Sequence, residues 1–126
     1  MILLDTSALI YWTLAPVKLT RTAFQAIQEA ETINVCSISI WELGIKVRKG
    51  YLTIPVTLSE YVIRLEETEK VVILPVDEKI WLTNLALGWP HKDPADRTIV
   101  AMAQLLGCPL ITSNRMIAEF YPKTIW

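Results

Sequence analysis

The residues that could carry chemistry in this chain are carboxylates. Only four of its 126 residues are aspartate: Asp5, Asp77, Asp93 and Asp96. The stretch HKDPADRTIV, residues 91–100, sets Asp93 and Asp96 three apart around Pro94, with Arg97 following directly. Asp93 suits a helix N-cap, because its carboxylate accepts from an orphan backbone N–H, and Pro94 at the first helical position has no hydrogen bond to lose. Asp96 then falls in the first turn, where a negative charge gains only roughly 0.3–1 kcal/mol from the helix dipole. Capping accounts for Asp93 and leaves Asp96 less well explained. Asp5 ends the first apolar run, and reads either as the cap of a Thr6–Tyr11 helix or as an acid on the carboxyl edge of a sheet. Glu42, in SIWE (Ser39–Glu42), completes an S-x-x-E capping box. Taken singly, each acid starts a helix. Taken together, Asp5, Glu42 and Asp96 would repel one another and raise each other's pKa, a cost that a divalent cation removes. One histidine, His91, and two distant cysteines, Cys36 and Cys108, cannot assemble a zinc site. Hard oxygen ligands point to Mg²⁺ or Mn²⁺, ions whose coordination is completed by water and substrate phosphate. The chemistry this implies is metal-assisted phosphodiester hydrolysis.

Such acids converge only if the fold gathers them. Four short apolar runs read as strands, Ile2–Leu4, Ile33–Cys36, Val71–Leu74 and Leu110–Ile111, with a weaker fifth at Thr124–Ile125. None alternates cleanly, which predicts a sheet covered on both faces. Helical spacing is read over Thr20–Ala30, Ile40–Lys49 after Ser39, Thr57–Glu67, Asp77–Leu87 and Pro94–Leu106, the last closed by Gly107 and Pro109. Gly50–Val56 reads as a loop. Strands alternating with helices predict an α/β fold with a parallel sheet, whose ligands bind beyond the carboxyl ends of the strands.

The bulk properties are compatible with that chemistry and exclude others. A chain of 126 residues, 52% hydrophobic and 20% charged, suits one domain, residues 1–126, with a substantial core. No apolar run approaches the ~20 residues of a membrane span. MILLDTSALI lacks a basic leader and carries Asp5 early, so a cytoplasmic protein without a signal peptide is expected. A net charge of −1 excludes a global basic field for nucleic acid. A polyanion would need a local patch, for which Lys46, Arg48 and Lys49 are candidates, or bound cations. Arg97 reads as an ion-pair partner of the acids or a phosphate contact. The five tryptophans are expected in the core or at interfaces, and the apolar stretch ALIYWTL (Ala8–Leu14) is the expected partner-facing surface.

Four segments together resemble the PIN-domain family, in particular its VapC-type toxin ribonucleases. LLDTSALI (Leu3–Ile10) resembles the opening strand and first acid, SISIWELGIKVRKGYL (Ser37–Leu52) the segment with the second, HKDPADRTIVAMA (His91–Ala103) the segment with the third, and LITSNRMI (Leu110–Ile117) the last motif strand and its turn. The resemblance implies a three-layer α/β/α, Rossmann-like PIN domain with a five-stranded parallel sheet. It also implies Mg²⁺- or Mn²⁺-dependent cleavage of RNA, a homodimer, and a small antitoxin partner. Residue by residue, Asp5, Glu42 and Asp96 match the metal-binding acids. Asp93 matches a frequent neighbouring acid, and Thr6 and Thr112 match family hydroxyls. The departure is Asn114, where the family often has a fourth acid. Its amide oxygen carries no charge, so weaker cation affinity, or loss of a second metal, is expected. That departure keeps open an alternative, a catalytically weakened PIN-fold module that binds RNA or protein. A phospho-acceptor receiver domain is disfavoured, because a single acid follows the first strand and Leu74-Pro75 ends the third.

Overall fold

All five apolar runs form strands in the computed structural model, which describes residues 1–126. They are β1 (Ile2–Leu4), β2 (Ile33–Cys36), β3 (Val71–Leu74), β4 (Leu110–Ile111) and β5 (Thr124–Ile125). Every pairing is parallel, in the order β3-β2-β1-β4-β5. The chain leaves central β1 toward β2 and β3, then crosses to the other side for β4 and β5. The switch therefore lies between β1 and β4, where Leu3 pairs with Leu110 and Leu4 with Ile111.

Seven α-helices connect the strands: α1 (Thr6–Leu14), α2 (Arg21–Glu29), α3 (Ser37–Arg48), α4 (Leu58–Glu67), α5 (Glu78–Ala86), α6 (Pro94–Leu106) and α7 (Arg115–Phe120), with a single 3₁₀ turn at Pro16–Lys18. Strand residues alternate between two cores. Ile2, Leu4, Ile33, Val35 and Ile111 pack with side chains of α1, α2 and α4. Leu3, Cys36 and Leu110 pack with those of α5, α6 and α7. This is the three-layer α/β/α arrangement, and it explains the absence of polar alternation in the strands. No helix is long and apolar enough to cross a membrane.

The helices differ from the sequence expectation at their beginnings and ends. α1 runs three residues past Tyr11. α3 begins at Ser37, with Cys36 in the cap position and no side-chain cap bond. Ser39 is therefore inside the helix and fully buried, and the Ser39–Glu42 capping box does not form. β2 turns directly into α3, leaving no linker in which a cap could sit. α7 was not apparent from periodicity, being only six residues long. The Asp93 cap, Pro94 start and Gly107 stop of α6 are as read, with Gly107 at φ 64°.

α6 supplies more of one core than any other element, through Ile99–Ala103. Ile99 is completely buried there, so Ile99→Ala should cost roughly 2–5 kcal/mol of stability. Urea unfolding measures this; a loss well under 1 kcal/mol would show that this core is loosely packed.

A candidate metal and phosphodiester site on the sheet edge

Asp5 just past β1, Glu42 in the helix after β2, and Asp93 and Asp96 at the start of α6, the helix that leads into β4, come to one edge. Asp5 follows β1 and is only 6% exposed. It caps α1 as read: Oδ1 accepts from the Ala8 N–H at 2.8 Å. Oδ2 accepts from the Thr112 hydroxyl, so β1 and β4 are tied at the switch point. Thr112 in turn accepts from the Asn114 N–H at 3.0 Å.

Glu42 lies one and a half turns into α3. Thr6, at the start of α1, donates to Glu42 Oε1. Having given that proton, Thr6 accepts from Ser39, 2.9 Å away. The serine read as a cap thus supports the hydroxyl that orients Glu42. Asp93 caps α6, accepting at Oδ1 from the Asp96 N–H at 2.8 Å. Asp96 Oδ2 is 2.8 Å from His91 Nε2. His91 is not among the expected site residues, because a lone histidine is not required in a metal mechanism; the structure places it on Asp96.

The electrostatics show that these acids converge. Burial chiefly raises Asp5, from its ordinary 3.8 to about 6, against the lowering effect of the Thr112 and Ala8 hydrogen bonds; the charges of Asp96 and Glu42 add to the rise. Glu42 is raised by burial, with Thr6 opposing and Asp93 and Asp96 adding. Asp96 is raised by burial, opposed by the His91 hydrogen bond. The charge of Lys46 opposes the rise of Glu42 without forming an ion pair; His91 is the side chain that contacts Asp96, and the Arg64–Glu60 ion pair is elsewhere and exposed.

Such a donor set fits a hard divalent cation by its chemistry: partly or fully buried carboxylates, hydroxyls behind them and no lysine or arginine paired with them. Cys36 is no competitor, because burial pushes its thiol up to about 11. As they stand, the side chains form no closed coordination set of three or more His, Cys, Asp or Glu groups. One oxygen each of Glu42 and Asp96, and both of Asp5, are held by protein donors.

Three expectations are revised by the geometry. Asn114 does not offer its amide oxygen to the site. Oδ1 caps α7, accepting from Met116 N at 2.9 Å and Ile117 N at 3.3 Å, and Nδ2 points to Asp96 Oδ2 at 3.4 Å. Arg97 pairs with no acid and faces no open phosphate position. Its Nε donates to Asn84 Oδ1, and its two Nη groups donate to the carbonyls of Asn84, Leu87, Trp89 and His91. Those five bonds use all five of its N–H donors. In ALIYWTL, residues Ala8–Ile10 are core. Only its far end contributes surface, with Trp12 and Leu14 lining a groove of about 310 Å³ shared with Val56 and Tyr61. Lys46 is partly buried and its charge reaches Glu42, while Arg48 and Lys49 are exposed. Trp41, next to Glu42, is 63% exposed.

The sequence profile of the PIN domain matches residues 2–122. Ribonuclease VapC22 of Mycobacterium tuberculosis (strain ATCC 25618 / H37Rv) is 28% identical over 128 residues, covering 99% of this chain and 98% of that protein. Among solved structures, a toxin-antitoxin complex from Klebsiella pneumoniae has a chain that superposes with a TM-score of 0.72 at 22% identity, covering 100% of this chain and 97% of its own. VapBC2 from Rickettsia felis, bound to a DNA fragment from its promoter, gives 0.68 at 17% identity, with both chains fully covered.

The raised Asp5 has a consequence for stability. Its folded value, about 6, lies above its ordinary 3.8, so the folded state binds the proton more tightly. The native protein therefore loses stability as pH rises from about 4 to about 6, and the loss is complete above that range. Asp5→Asn keeps the cap acceptor and removes the charge. In EDTA, its urea-unfolding free energy should match the parent's near pH 4 and exceed it by roughly 2–3 kcal/mol at pH 7–8. A gap that does not change with pH would show that Asp5 is not held ionised at a cost.

Proposed function

The chain belongs to the PIN-domain family, and on that premise we propose that it is a metal-dependent endoribonuclease of the toxin–antitoxin type. Residues 1–126 form its single PIN domain, acting in the cytoplasm. The observation that carries the reading is the sheet edge itself, where Asp5, Glu42 and Asp96 crowd together with no lysine or arginine ion-paired to them. A group of acids that lowers the stability of its own fold is explained by a cation ligand in solution.

In this reading Asp5, Glu42 and Asp96 hold Mg²⁺ or Mn²⁺, with Asp93 beside them. When bound, the ion supplies a more acidic water for attack and neutralises charge on the phosphate. The chain's own residues set the donors. Thr112 and the α1 amide fix Asp5, and Thr6, backed by Ser39, fixes Glu42. Lys46, Arg48 and Lys49, on and just past the end of α3, are assigned to the RNA backbone, where they attract phosphate without reading sequence. Arg97 is withdrawn from that set, because its donors are spent within the fold. The small antitoxin protein is assigned to the groove at Trp12 and Leu14, whose apolar lining suits a hydrophobic segment. A homodimer is part of the same reading, supported by the exposed Trp81, Leu82 and Leu85 on α5.

A second reading, a module that binds RNA with little cleavage, is favoured by one observation. Asn114 presents an uncharged N–H to Asp96 where an acid would add cation affinity. Cleavage separates the two. Freed of any co-purified inhibitor, the parent should cut a mixed structured RNA pool with Mg²⁺ or Mn²⁺ and stop in EDTA. Asp5→Asn and Asp96→Asn should each slow cleavage at least about 100-fold while remaining folded. Binding of the pool without cleavage, at any metal concentration, would favour the second reading, and parental rates in Asp96→Asn would refute the ligand assignment.

A further inference from the structure

Asp96 is hydrogen-bonded by an aromatic side chain, His91, and the segment that supplies it is fastened at several points. The irregular stretch from Leu87 to Lys92 has no helix or strand of its own. Arg97, one residue past Asp96, gathers the carbonyls of Leu87, Trp89 and His91 with its guanidinium. The Trp89 ring stacks on Phe120, with centroids 4.9 Å apart and planes at 9°. The His91 ring also packs on Trp89, with centroids 4.6 Å apart and planes tilted by 39°. The imidazole is therefore held by its backbone carbonyl and by its ring, and its side chain is only 14% exposed.

What it is held against is one oxygen. His91 Nε2 stands 2.8 Å from Asp96 Oδ2, and Asn114 Nδ2 approaches the same oxygen at 3.4 Å. An ionised carboxylate only accepts, so the imidazole carries its proton on Nε2. Asp96 Oδ1 receives no hydrogen bond from the protein, and no buried polar side-chain atom of the chain lacks a partner. Oδ1 is therefore open to solvent.

We propose that His91 is a positioning residue: with Asn114 behind it, it engages Asp96 Oδ2 and so fixes Oδ1 as the oxygen that Asp96 presents to a divalent cation. The proposal rests on the metal reading above. It gives Asn114 a definite part in this chain, a second donor to the acid in place of a further acid. It also gives Arg97 one, holding the segment that carries the imidazole. Groups that orient a ligating side chain commonly affect metal affinity about as strongly as the ligands' own surroundings do.

The test uses Mn²⁺ binding by calorimetry, which needs no substrate, on the parent, His91→Phe and His91→Gln. Phenylalanine keeps the ring on Trp89 and removes the donor; glutamine restores an N–H. The Phe variant should bind Mn²⁺ roughly 10- to 100-fold more weakly, with a thermal midpoint close to the parent's, and the Gln variant should recover most of the loss. Because His91 is the chain's single histidine, its long-range ¹H–¹⁵N spectrum in metal-free protein is unambiguous and should show the Nε2–H tautomer. Parental affinity in the Phe variant, a Gln variant no better than Phe, or the Nδ1–H tautomer would each overturn the positioning role. A parent that binds no Mn²⁺ would instead overturn the metal reading, and the positioning role with it. If the Phe variant fails to fold, the tautomer and the Gln variant still decide.

Discussion

Everything at the working edge of this molecule depends on carboxylates being held close together out of bulk water. Burial is the leading cause of the raised values of Asp5, Glu42 and Asp96, and their mutual charges add to it. The fold counters this with fixed donors. Asp5 has the α1 amide and Thr112, Glu42 has Thr6, and Asp96 has His91. Helix starts help as well, since Asp5 caps α1 and Asp93 and Asp96 sit at the start of α6, where the dipole favours negative charge. These donors leave Asp5 still raised to about 6. That residual cost is what supports the proposal of a bound cation at this edge.

The topology explains why the acids can meet at all. Asp5 and Thr112 are 107 positions apart, yet β1 and β4 are adjacent because the chain switches sides of the sheet between them. In a parallel sheet every strand ends on the same edge, so residues just past strands, or in the first turns of the following helices, become neighbours. The two cores serve this edge from both sides. Leu4, Val35 and Ile111 face one helical layer, and Leu3, Cys36 and Leu110 face the other. Asp5 is placed by rigid neighbours on either side, and a one-residue slip of β1 would turn its side chain out of register with Thr112.

Much of this was legible in the residues. The strands were marked by short apolar runs between turn residues, and their lack of alternation correctly implied cover on both faces. The α6 boundaries were legible because Asp93, Pro94 and Gly107 each have a specific backbone reason to stand where they do. The PIN-domain resemblance rested on four ordered segments, and the profile match over residues 2–122 spans all of them. Local pattern misled where tertiary contacts competed with it. SIWE has the form of a capping box, but α3 already begins at Ser37, so Ser39 lies buried inside its first turn with its hydroxyl on Thr6, 33 positions away. Arg97 looked like a partner for acids because it adjoins one. Successive helical residues do not share a face, and the side chain turns instead to five acceptors around Asn84 and the Leu87–His91 segment. No spacing rule exposes an irregular segment gathered by one guanidinium, so the contact of His91 with Asp96 was not legible, and a metal mechanism gave no reason of its own to include a lone histidine.

Asn114 shows how one substitution is absorbed at such an edge. An N-cap position accepts Asn and Asp about equally well, because either side-chain oxygen can receive the first-turn amides of α7. Helix capping therefore places no demand for charge there. What changes is the group facing Asp96. A carboxylate would add a further repulsive charge to acids already raised by burial, whereas the amide supplies a donor without that repulsion. The chain thereby gains a less strained metal-free edge and gives up a charge that would draw a cation. Which of these matters more depends on how firmly the remaining acids are oriented. On the proposal above, that orientation falls to the imidazole on Asp96, with the segment that Arg97 holds behind it.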